Sequence, residues 1–328
     1  MSFALFMLNL AKRGMRSLTV LAVAAALLVP VVSVAVAQEG TPPPGGSEVA
    51  AELPPVDLPT MNEQSFTFEL TSSFAGSLDT TPQEAPVFQM TLQEVDLERA
   101  RQIATQLGVQ GEVTERGTGI FAAEGNGSVY FAPGLIQYVS PTAAPTGELP
   151  ADDAAIAYAK EWLRQVGLLP ADIGDGEVRS RLEEPGRVVV VFKPVTPQAL
   201  LSDLPSISVT LGPAGTILDA SVRWAELAQG DVYQLRPPDQ AWDDVAGMRA
   251  YLQTTLPDDE YPQGSTITGT AEYEEVTIAY TSSGIPGEQQ YLQPVFVYTG
   301  RITPEGSEDS FPITAYVPAL ANSQQPVG

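Results

Sequence analysis

Three stretches of the chain set apolar residues at helical spacing. Over about 95–107, "VDLERARQIATQL" places Leu97, Ala100, Ile103, Ala104 and Leu107 on one stripe, and Gly108 is placed to end it. Its N-cap is Thr91, with Glu94 three residues on, or Asp96; the spacing leaves the two open. A second helix is predicted over about 152–166, opened by Asp152 or Asp153 and closed by Gly167. Its apolar face is Ala155, Ile156, Ala159, Trp162, Leu163 and Val166. A third is predicted over about 238–254, where Pro238 and Asp239 suit a helix start. Its stripe is Ala241, Trp242, Val245, Met248 and Leu252.

Strand patterns follow each helix. After the first come "GEVTERG", "GIFAAEG", "GSVYFAP" and "LIQYVS". After the second come "EVRSRLEE", "RVVVVFKPV", "SISVTLG" and "TILDASVRWAEL", the last two joined by a tight turn at Pro213 and Gly215. After the third come "TITGTAEYEEVTIAYTS", "YLQPVFVYTG" and "FPITAYVPAL". Polar and apolar residues alternate in Ile207-Ser208-Val209-Thr210-Leu211 and in Thr277-Ile278-Ala279-Tyr280, as in a sheet with one wet face.

Two short segments look alike. "PVFQM" (86–90) precedes the first helix and "DVYQL" (231–235) precedes the third. Read as a repeat, they put Val87 and Val232 on one face and Phe88 and Tyr233 on the other. The fold class expected is α+β, built from repeated helix-plus-antiparallel-meander units. One unit covers 62–146; a second region, 147–325, holds two more, 147–228 and 229–325.

Lys12, Arg13 and Arg16 precede a charge-free run over 17–37 that ends Ala35-Val36-Ala37. This pattern makes 1–37 either a signal peptide cut after Ala37 or a retained N-terminal anchor. In both cases the basic flank stays cytoplasmic and the body is extracytoplasmic. Residues 38–61 are rich in Pro and Gly and lack periodicity, which predicts a disordered tether.

Composition narrows the chemistry. The 328 residues include no Cys and no His. Disulfides, thiolate sites, a lipid-bearing cysteine, Ser-His-Asp triads and histidine-based zinc sites are therefore excluded. Without the leader, 13 Lys and Arg stand against 40 Asp and Glu, a formal −27. Such a surface repels nucleic acid and favours cations or basic partners, and it also keeps an exported protein soluble.

The remaining motifs are weak. "LDTTP" (78–82) has Asp79-Thr80 but Thr81 where an aspartic-protease loop needs a small residue, and no second copy follows. "DIGDGE" (172–177) offers Asp172, Asp175 and Glu177 as candidate calcium ligands, off the EF-hand spacing and equally a turn. "PDDEYP" and "AEYEEV" read as solvated loop and strand face. Lys160 and Lys193 are the lysines beyond the leader, and neither has Ser-x-x-Lys spacing. Trp162, Trp224 and Trp242 serve either core packing or, if exposed in a row, sugar stacking. Asn126-Gly127-Ser128 is a glycosylation sequon and also a hairpin turn.

At "PSISVTLGPAGTILDASVRWAEL" and "YLQPVFVYTG…FPITAYVPAL" the chain resembles extracytoplasmic PepSY-type modules and the YycH/YycI-type regulators of a cell-wall sensor kinase. Ile207, Val209, Leu211, Gly215 and Ile217 carry the first pattern. Tyr291, Pro294, Val295, Phe296, Val317 and Ala319 carry the second. The resemblance spans roughly 150–320, with 62–145 a looser copy. It implies an α+β layer fold and a regulatory or inhibitory binding role, and it carries over no catalytic residue. The acidic, Pro-rich tether lies outside that pattern.

The function expected from these readings is non-enzymatic binding of a protein or peptide, basic in character, at the cell envelope, with no cofactor and no catalytic residue. A carbohydrate- or cation-binding surface module is the alternative, and a hydrolase with paired carboxylates is a third reading.

Overall fold

Of the strand patterns, those from the first helix to Arg223 close into one sheet, and the rest, including the strand just before the third helix, into another. The computed structural model describes residues 53–56, 58, 66–78, 81–141, 146–184, 186–283 and 290–320. The leader, the cleavage site, most of the tether, and Asp79-Thr80 of the protease-like motif lie outside the described residues. Among the described residues, no helix is long and apolar enough to cross a membrane.

The first sheet has eight strands. β3 (Thr114–Gly117), β4 (Ile120–Glu124), β5 (Ser128–Ala132) and β6 (Leu135–Val139) form one meander. β7 (Glu177–Leu182), β8 (Arg187–Phe192), β9 (Ser206–Leu211) and β10 (Ile217–Arg223) form the other. The order is β3-β4-β5-β6-β10-β9-β8-β7, so each meander's last strand bonds the other's, all antiparallel. Directly opposed residues share a face. One row therefore runs Phe121, Phe131, Ile136, Val222, Ile207, Phe192 across six strands. All six are buried in one core with α1 (Leu97–Gln106) and α2 (Asp152–Gln165). Asp96 caps α1, its carboxylate accepting from the Arg99 N–H at 2.7 Å. Ala100, Ala104, Ala155 and Ala159 let both helices sit close on the sheet.

The second sheet has seven strands. β1 (Thr67–Phe74), β13 (Thr266–Ser283), β14 (Gln290–Pro304), β15 (Phe311–Pro318) and β12 (Tyr251–Thr254) follow in that order. β2 (Glu84–Leu92) bonds the first residues of β14, and β11 (Ala225–Gln234) bonds β2. The β1–β13 pair is parallel. α3 (Pro238–Ala246) covers one face through Ala241, Trp242 and Val245. On the other face Val56 and Leu58 pack on Val295, Val297 and Tyr316. The Gln293 side chain donates to Pro54 O at 2.7 Å.

Among the described residues, several links join the sheets. β10 passes through buried Trp224 directly into β11, which belongs to the other sheet. The loop after β8 reaches β13, where Tyr280 N–H donates to Ala199 O and Leu201 N–H donates to Tyr280 O, both at 2.8 Å. Lys193 Nζ donates to Leu200 O at 2.8 Å inside that loop.

The expected α+β chain of repeated helix-plus-meander units is not what forms. Strands hold 49% of the described residues and helices 15%, in two sheets with three α-helices. The two look-alike segments do not open separate units: they lie in β2 and β11 and are antiparallel neighbours, with Ala85 opposite Tyr233. Val87 accordingly shares a core with Tyr233, not with Val232, while Phe88 faces another cluster. The third helix also stops early, at Ala246. Gly247 follows, Met248 adopts φ 57°, and Tyr251–Thr254 continue as strand β12.

α3 is fastened by charge and by aromatic rings. Asp244 accepts from Arg236 Nη2 at 2.7 Å and from Arg249 Nε at 2.9 Å, and Arg236 also donates to Pro318 O at 3.4 Å. Burial alone would raise the Asp244 carboxyl, but the Arg236 and Arg249 hydrogen bonds outweigh it and hold the group below its ordinary value. Trp242 lies 5.4 to 5.7 Å from the rings of Phe74, Tyr273 and Tyr298. Tyr298 Oη donates to Pro238 O at 3.0 Å, whereas the fully buried Tyr273 Oη has no hydrogen-bond partner among the described residues.

Two outcomes are expected. Tyr273→Phe removes an unsatisfied buried hydroxyl and leaves the ring packing, so urea unfolding should show stability unchanged or raised by up to about 1–2 kcal/mol. Asp244→Asn should cost about 1–3 kcal/mol at neutral pH. A depressed carboxyl pKa gives stability that is fully present above the unfolded-state pKa and is lost as pH falls through the folded-state one. The gap between wild type and Asp244→Asn should therefore close on acidification below the ordinary carboxylate range.

Candidate functional site

A sheet ends in unpaired N–H and C=O groups, and proteins defend such edges with short strands, charges or bulges. The edges here differ in that respect. β3 is four residues, "TERG". β7 carries two arginines and a register shift between Val178 and Ser180. β11 has a register shift between Gln229 and Val232, and β12 is four residues long. β1, "TFELTSSF", is eight residues with one charge, Glu69, and no proline, and its pairing runs without a register shift. Among the described residues, no strand pairs with its outer side.

The hydrogen-bond phase of β1 follows from its ends. Thr67 N–H donates to Ser265 O at 3.0 Å and Ala75 N–H to Tyr273 O at 2.8 Å. Successive amides alternate sides, so Glu69, Thr71 and Ser73 bond β13, while Phe68, Leu70, Ser72 and Phe74 turn N–H and C=O outward. The side chains of Phe68, Leu70 and Phe74 are half-buried against the α3-covered core. A strand added here would extend both that apolar face and the polar one opposite.

The polar face holds an open trough of ≈ 510 Å³ across β1, β13 and the end of β14. Glu69, Thr71, Thr268, Thr270, Thr303 and Glu305 line it. Glu69 sits opposite Thr268, whose hydroxyl donates to Glu305 Oε2 at 3.1 Å. Neither glutamate is in an ion pair among the described residues, and Glu272 is exposed on the same face. The surround is negative, which suits a basic strand.

The residues singled out in the sequence lie elsewhere. Asp172 and Asp175 are exposed in the loop before β7 and Glu177 is exposed as its first residue, and no group of three metal-ligating side chains forms among the described residues. The glycine between them is structural: Gly176 has φ 86°, and a Cβ there would come within 2.4 Å of the Phe192 ring. Gly174 N–H donates to Lys193 O at 2.8 Å, so "DIGDGE" is a turn tied to β8. Lys193 is itself a tie to Leu200. Trp224 is buried, Trp162 stacks on Tyr138 at 5.7 Å, and Trp242 belongs to the α3 cluster, so no exposed tryptophan row forms. Asn126 is a turn residue whose Oδ1 accepts from Gln110 N–H at 2.9 Å. The signal that could have found β1 was its alternation with a single charge, but nothing local says that its outer side stays unpaired.

Comparison with known proteins assigns no family. No protein-family model matches the sequence, and no curated protein matches it. The chain has a weak fold-level likeness to two solved structures. One is an uncharacterized protein from Eubacterium rectale, 9% identical, covering 82% of this chain and 92% of that one, TM-score 0.43. The other is the Bacillus megaterium YpeB C-terminal domain, 12% identical, covering 72% of this chain and 98% of that one, TM-score 0.33. The two patterns behind the PepSY-type resemblance fall in different sheets, the first in β9 and β10, the second in β14 and β15 and the residue after it.

Amide hydrogen exchange checks the open edge directly. The N–H groups of Phe68, Leu70, Ser72 and Phe74 should exchange on the order of tenfold or more faster than those of Glu69, Thr71 and Ser73. Equal protection along β1 would mean that its outer side is covered.

Proposed function

We propose that this chain is a non-enzymatic binding module acting outside the cytoplasm, and that it captures an extended, basic segment of a protein or peptide by adding it as a strand to β1. The observation that carries this reading is the undefended outer edge of β1, in a protein whose other sheet edges are short, charged or interrupted. Main-chain bonds to the outward amides would supply affinity, and alternate side chains would supply selectivity. Those on one side meet Phe68, Leu70 and Phe74; those on the other meet Glu69 and the trough. The export-type leader supports the compartment, and the absence of His and Cys supports a role without bond-breaking chemistry.

A purified chain titrated with a short peptide of alternating Lys and Val tests this. Binding should be saturable, weaken with salt, and fall about tenfold or more in Ser72→Pro. Proline there deletes an outward N–H while leaving the bonds to β13, a placement that edge strands tolerate. An affinity unchanged by Ser72→Pro, in a variant with wild-type melting, would refute strand addition at β1.

A further inference from the structure

The opposite border of the second sheet carries a different feature. Where β11 bulges over β2, near the first residues of β14, the surface closes around a cavity of ≈ 60 Å³. Gly230 suits the bulge, because a Cβ there would lie 3.0 Å from Val87 O, a tight contact. Buried Val87 forms an apolar wall, and Leu53 closes another side. The polar lining is Asp231, Gln89, Tyr233 and Tyr291. Burial raises the Tyr233 phenol above its ordinary value, and the Asp231 carboxylate and the Tyr291 phenol push it the same way, so both lie within electrostatic reach of the Tyr233 hydroxyl.

This lining selects by elimination. It contains no Lys or Arg, and its charge is a carboxylate, so an anion finds no partner. Calcium takes six to eight oxygen ligands, commonly several carboxylates among them, and this lining supplies a single carboxylate. At roughly 10–15 Å³ of such volume per water, the cavity of ≈ 60 Å³ holds about four to six waters, too few for a sugar ring. A primary ammonium fits each of these constraints. Its three N–H donors match a carboxylate, phenol oxygens and an amide oxygen. Its charge is attracted by tyrosine rings, and a short methylene stem can lie against Val87 and Leu53.

We propose that this pocket binds a primary alkylammonium group presented by a partner, from a lysine side chain or a free chain N-terminus. The site stands apart from strand addition, since β11 and β1 form different edges of the sheet.

NMR titration of the purified chain tests it, following the Tyr233 and Tyr291 ring signals. The probes are n-butylammonium chloride, Nα-acetyl-lysine methylamide, alanine amide, and n-butanol as the neutral analogue. Saturable shifts are expected with an amine probe, with an affinity at least about tenfold above that of n-butanol and lowered about tenfold in Asp231→Asn. Tighter binding of the lysine derivative would assign the group to a side chain, and tighter binding of alanine amide to a chain N-terminus. Asp231 is exposed, so the fold should survive its replacement, and an unchanged melting temperature verifies that. Equal shifts with n-butanol and n-butylammonium, or an affinity indifferent to Asp231→Asn, would overturn the assignment.

Discussion

Main-chain hydrogen bonding along β14 is the constraint on which the second sheet depends. One side of β14 is bonded to β13 over almost its whole length. Its other side is divided, β2 taking Gln290–Leu292 and β15 taking Val295–Ile302. Segments from both ends of the described chain thus meet on one strand. Phe296, Tyr298 and Ile302 pack in the α3-covered core and Val295 and Val297 on the opposite face, so a slip of one residue would exchange the two sets and misfit both cores. The ladder and the core select the same register.

The rest follows from how the remaining strands find partners. β6 and β10 each finish a meander with one free side, and they satisfy each other, which makes one eight-stranded sheet from two helix-led runs. β11 leaves the first sheet after Trp224 and pairs with β2 in the second. The loop after β8 reaches Tyr280 of β13 and holds the two sheets in register. After these pairings the long, bulge-free outer side of β1 is left over among the described residues, with acids around it and a half-buried apolar flank. A basic extended segment complements that combination in shape, hydrogen bonding and charge.

The likeness of "PVFQM" and "DVYQL" shows where sequence reasoning misled. Both segments precede a helix, and a repeat explains that economically. Their similarity instead reflects a shared task, to be adjacent strands that hold aromatic and aliphatic residues on a buried face. Pairing opposes Ala85 to Tyr233, which sets Val87 beside Tyr233, the reverse of what a repeat in phase would place together. Elsewhere, Gly176 lies against the Phe192 ring and Lys193 donates to Leu200 O.

The sequence alone determined the stripes of α1 and α2, the strands that follow them, the loss of histidine and thiol chemistry, and the negative charge. These depend on residues a few positions apart, or on composition, and need no knowledge of the fold. Tertiary structure alone decided which strands are neighbours, that β1 keeps a side unpaired among the described residues, and that Asp231, Tyr233 and Tyr291 line one cavity. Partner choice in a sheet is settled between segments up to two hundred residues apart, by which free edges and apolar faces remain to be satisfied, and no local pattern records that outcome.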